Sequence, residues 1–103
     1  MSDAPKARTH IVDFDFPLKV GSTEVSRLEF RRAKGSDVET FDNTKGDAAK
    51  VLKMIERLAS NPDDPDMPIT PKLVREIDAA DIEKIAVELD DFLQLGRRTG
   101  ANA

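Results

Sequence analysis

The sequence predicts an α+β domain: an N-terminal antiparallel β-hairpin followed by three to four helices packed on its apolar face. Three observations carry this. Residues 12–20 alternate apolar and polar side chains, stop at a glycine, and give way to a second, partly alternating run. Segments after residue 46 space their apolar residues with the period of an α-helix. The strand-like segments all precede the helical ones, which indicates helices gathered on one sheet face and not alternating βα units.

Residues 1–9 are polar and contain a proline, and they read as a disordered arm ahead of a single domain spanning 10–95. The hairpin occupies 11–33. Val12, Phe14, Phe16, Leu18 and Val20 alternate with Asp13, Asp15, Pro17 and Lys19, the pattern of a strand with one buried face. Pro17 has no N–H for the ladder, so this is expected to be an edge strand, or a strand that ends and resumes there. "VGST" supplies the turn. On the return strand Leu28 and Phe30 share one face, and Val25 is out of register with them; a β-bulge near Ser26, or a strand starting after Val25, explains the offset.

Four helices are expected at about 37–42, 47–60, 71–76 and 79–95. Ser36 and Glu39 form a capping-box pattern for the first, and Asp47 is a plausible cap for the second. Val51, Leu52, Ile55, Leu58 and Ala59 make that helix's single apolar stripe. "NPDDPDMP", residues 61–68, carries three prolines and interrupts all regular structure. Thr70 caps the third helix, with Pro71 at its first position, where a missing N–H costs nothing. Asp78 caps the fourth, whose stripe is Ile82, Ile85, Ala86, Leu89, Phe92 and Leu93. Gly96 suits its C-terminal stop and Arg97–Arg98 its negative end, with a disordered tail over 96–103.

Composition narrows the function classes. The chain of 103 residues has no cysteine, so a disulfide framework, a thiolate zinc site and a cysteine nucleophile are excluded. No apolar run approaches the ~20 residues that span a bilayer, and no signal peptide is recognisable. The chain is therefore expected to be soluble and to stay where it is made. Net charge is −4, with residues 1–34 at +2 and 35–103 at −6, which argues against nucleic-acid binding and favours a basic protein partner. The bland reading of the acidic half is a solvated helix face.

Chemistry-bearing constellations are sparse. His10 has no nucleophile beside it in the sequence and reads as a surface residue. Asp63, Asp64 and Asp66 suggest a calcium loop, but the positions that would need glycine and glutamate hold Ile69 and Arg75, so an acidic linker is the reading. Glu88, Asp90 and Asp91 diverge around a helix. No glycine-rich phosphate loop occurs. No cofactor, metal or small-molecule substrate is expected, and the chain reads as a binding module and not an enzyme.

"FPLKVGSTEVSRLEFRRAK" resembles the start of the tail assembly chaperones of long, contractile-tailed bacteriophages and their prophages. The matching features are Pro17–Leu18 ending the first strand, Gly21 at the turn, Val25, and the run Leu28–Glu29–Phe30–Arg31. The C-terminal half is similar too: a Thr-Pro helix start, the Asp78–Asp81 step, and a long helix ending in Phe92–Leu93. The resemblance spans about residues 12–95. It departs at Arg32–Ala33, where the family often has proline, and in a longer, more charged middle.

The resemblance implies a non-virion assembly factor in the bacterial host cytoplasm. It would bind the tape measure protein, a long helical protein that sets tail length, keep it soluble, and recruit tail tube subunits until polymerisation displaces it. A frameshifted longer product occurs in many such phages. Candidate partner-binding residues are Pro17 and Leu18 on the edge strand, Arg31 and Arg32, and Phe92 and Leu95 at the last helix's end. Strand addition at the Pro17 edge, to another copy or to the tube subunit, is a second possibility. A structural connector or regulatory protein-binding module is the alternative function.

Overall fold

The computed structural model describes residues 8–94; Leu95, Gly96, Arg97, Arg98, the tail and nearly all of the expected arm lie outside the described residues. The alternating segments form β1 (Thr9–Val20) and β2 (Thr23–Arg31), paired antiparallel. Gly21 (φ 63°) and Ser22 join them in a two-residue loop. Only its first position has positive φ, the arrangement of a type II′ turn.

The hairpin contains a large irregularity. Asp13 pairs with Arg27 and Leu18 with Val25, so residues 14–17 of β1 stand against Ser26 alone. The offset does fall opposite Ser26, but the extra residues belong to β1, around Pro17. An odd slip exchanges the two faces of a strand. Val12 and Phe14 therefore point into the core with Val25, Leu28 and Phe30, whereas Phe16 is 55% exposed and Val20 37%. This corrects the expectation of one continuous apolar face from Val12 to Val20.

Four helices follow: α1 (Gly35–Asp42), α2 (Asp47–Leu58), α3 (Pro71–Arg75) and α4 (Ala79–Leu93). The capping box of α1 lies two residues earlier than Ser36 and Glu39. The Asp37 carboxylate accepts the Lys34 N–H, and the Asp37 N–H donates to the Lys34 carbonyl (2.9 Å each). Gly46, at φ 94°, is the N-cap of α2, and Asp47 is its first residue, placing a negative charge at the positive helix end.

Helix α2 ends at Leu58, not at residue 60. Ala59–Ser60 forms a short strand, β3, antiparallel to β2, giving a three-stranded sheet of order β1-β2-β3. The following Asn61–Pro62 step disfavours helical backbone before proline, so the chain is already extended there. The edge position expected for β1 holds.

Thr70 caps α3 through its hydroxyl, which accepts the Leu73 N–H (3.1 Å), and Asp78 caps α4 by accepting the Ala80 N–H (2.8 Å). The last helix stops before Gly96: Gln94 takes the left-handed conformation (φ 60°), one residue past the buried side chain of Leu93. Ile55 and Leu58 of α2, Val74 and Ile77 around α3, and Ile85, Leu89 and Leu93 of α4 cover Val12, Phe14, Val25, Leu28 and Phe30, with Phe41 of α1 completing the core.

Candidate functional site

Two polar seams hold the elements in place, and they engage His10, Glu88, Arg31 and Arg32. Along α4, residues 81, 84, 88 and 92 recur at helical spacing and face β1. The Asp81 carboxylate is fully buried and accepts the Asp15 N–H (2.8 Å) and the Phe16 N–H (3.0 Å). One turn on, Lys84 Nζ donates to the Asp13 carbonyl (2.7 Å) and pairs with Asp15 (3.1 Å), and its pKa is raised chiefly by the Asp15 hydrogen bond. His10 Nε2 donates to Glu88 (2.7 Å), and its ring stacks on Phe92 at 5.4 Å. Arg32 closes the seam, donating to the Phe92 carbonyl (2.6 Å) with its guanidinium 5.1 Å above the Phe92 ring. His10 is thus a half-buried seam residue and not a loose surface group.

The second seam centres on Asp37, which is 1% exposed. Arg31 reaches it with two nitrogens (2.9 and 3.3 Å), and Arg57 Nε with a third (2.7 Å). The Arg31 hydrogen bonds, with those from the Lys34 N–H and Arg57, hold its carboxyl far below the usual carboxylate range despite burial. Arg31 also donates to the Arg32 and Arg57 carbonyls. One carboxylate therefore ties the end of β2 to the start of α1 and the end of α2.

The acidic proline-rich loop is tethered as well. Arg27 holds Asp63 through a two-point contact (2.9 and 3.1 Å), which lowers the Asp63 pKa, and buried Asn61 accepts the Asp63 N–H (2.9 Å). Among the described residues no group of three or more His, Cys, Asp or Glu is placed to hold a metal ion, and no helix is long and apolar enough to cross a membrane.

Of the six residues singled out from the sequence, Arg31, Arg32 and Phe92 lie in these seams, and Leu95 lies outside the described residues. Pro17 is exposed, in the irregular part of β1, and Leu18 is half-buried beside it. The Asp15 and Phe16 N–H groups are taken by Asp81 and Pro17 has none, so residues 15–17 offer no N–H to an added strand.

Leu18 instead lines the surface feature that the sequence did not reveal: a groove of about 420 Å³ between the turn end of β1 and α3. Leu18, Val20, Met67, Pro68 and Leu73 make its apolar lining, and Lys19, Lys72, Thr70 and Glu76 its polar margin. Neither Lys19 nor Lys72 forms an ion pair among the described residues. A smaller recess of about 300 Å³ lies between α2 and α4, over Val51, Met54, Ala86, Leu89 and Leu93. The offset of Val25 from Leu28 and Phe30 was the one available signal in the sequence, because the slip it marks turns Phe16 and Val20 outward at that end of β1. No family model, curated protein or solved structure matches the chain.

Proposed function

We propose that this chain is a non-enzymatic tail assembly chaperone of a contractile-tailed phage or prophage. It binds the tape measure protein in the bacterial host cytoplasm, keeps it soluble and recruits tail tube subunits. It leaves before the virion is finished, and neither nucleic acid, membrane nor small-molecule substrate is part of its role. The single observation that supports this reading on the structural side is the open apolar groove along Leu18, Val20, Met67 and Leu73. Exposed apolar surface of this kind on a small domain suits an interaction face. Methionine and leucine side chains let such a face adapt to a client that must later be released. The resemblance of residues 12–95 to the chaperone family supplies the identity of the client.

Co-expression of the full chain with the tape measure and tube proteins encoded beside it tests the proposal. The tape measure protein is expected to co-purify with the chain and to lose it once tube subunits polymerise, and purified particles should lack the chain. Stoichiometric retention in particles would make it a connector instead. Failure to bind either protein would leave the resemblance one of fold only.

A further inference from the structure

We infer that the groove between β1 and α3 takes an acidic amphipathic helix of the partner protein, its apolar residues on Leu18, Val20, Met67 and Leu73 and its carboxylates against Lys19 and Lys72. The inference rests on the reading of the chain as a protein-binding chaperone and specifies the chemistry of the segment it holds. Three observations select this occupant.

The first is the groove's boundary. An extended peptide needs a row of backbone groups to pair with; residues 15–17 of the neighbouring edge offer no free N–H, which leaves only the short run Leu18–Val20. An occupant seated on side chains alone must satisfy its own backbone, which a helix does within itself.

The second is charge. Lys19 and Lys72 flank the apolar lining with no ion-pair partner among the described residues; Glu76 is the one acid in the lining, and Glu24, opposite Lys19 across the hairpin, forms no ion pair with it. Two other lysines are engaged: Lys84 with Asp15 and Lys53 with Glu56. The third is contrast. The whole chain carries a net charge of −4, so an acidic segment is repelled by most of the surface and attracted at this locally positive margin. That opposition fixes where and in which register the helix lands.

The test uses the full chain and two synthetic helical peptides with the same leucine face, one flanked by Glu and the other by Lys. Binding is followed by titration and by amide chemical shifts. The Glu peptide is expected to bind about tenfold more tightly at low salt, with the preference shrinking as salt screens the rim charges. The largest shifts should fall on Leu18, Val20, Met67 and Leu73. The double variant Lys19→Glu/Lys72→Glu changes only exposed side chains and should stay folded, with at most a small drop in melting temperature, while reversing the preference. Equal binding of both peptides, an unreversed preference in the double variant, or shifts centred on Val51 and Leu93 would overturn the inference. So would sedimentation showing that a second copy fills the groove. A tape measure protein that co-purifies with wild type and double variant alike would refute the groove assignment while leaving the chaperone role intact.

Discussion

Replacing Asp81 with alanine should destabilise the chain more than truncation of any other charged residue of α4. The carboxylate is fully buried and accepts two backbone N–H groups from the irregular part of β1, at 2.8 and 3.0 Å. Hydrogen bonds to a charged group contribute about 1.5–3 kcal/mol each, so the pair sets a ceiling of about 3–6 kcal/mol. Asp15 and Phe16 are themselves exposed, and water that reaches their N–H groups once the carboxylate is gone recovers part of this. The expected loss is then about 2–4 kcal/mol. Asp81→Asn keeps one acceptor oxygen but turns an amide NH2 toward the other N–H, and it should fall between wild type and alanine.

Asp78→Ala is the internal reference. It removes an exposed helix cap three residues away and should cost about 1 kcal/mol. Urea unfolding followed by circular dichroism resolves the difference: with a slope of about 1–3 kcal/mol/M, a 3 kcal/mol loss moves the midpoint by about 1–3 M. Hydrogen exchange adds a local readout, since the Asp15 and Phe16 amides should lose more protection than the global destabilisation accounts for. An Asp81→Ala variant no less stable than Asp78→Ala, with those two amides unchanged, would refute the claim that this carboxylate holds the strand.

Two further predictions follow from the packing and the charges. Phe30 is fully buried and Phe16 more than half exposed, so Phe30→Asp should abolish folding while Phe16→Asp leaves the melting temperature within a few degrees; an unfolded Phe16→Asp protein would contradict the register described for β1. Asp37 has a depressed folded-state pKa, so its stabilisation is complete above the unfolded carboxylate value of about 4 and is lost progressively as pH falls below it. Unfolding free energy measured against pH should therefore decline on acidification more steeply in wild type than in Asp37→Asn, and superimposable slopes would remove Asp37 from the acid response.

Much of this architecture is legible along the chain because its determinants are local. Thr70 and Asp78 cap their helices through contacts two or three residues away, Pro71 fits the one helical position that needs no N–H, and the stripe of Ile85, Leu89 and Leu93 declares a buried face by spacing alone. The glycine turn and the edge position of β1 follow from Gly21 and Pro17 in the same way. Tertiary structure decided whatever depends on partners distant in sequence. Asp81 looks like any first-turn helix acid until β1 brings the Asp15 and Phe16 amides to it across more than sixty residues. Asp37 looks like a helix-start acid until Arg31 and Arg57 converge on it. The alternation from Val12 to Val20 predicts one face, and only the pairing of Leu18 with Val25 shows that the strand slips and turns Phe16 to the surface. The groove over Leu18 and Leu73 exists because that slip and the proline-rich loop meet in space, and no periodicity along a single segment encodes such a meeting.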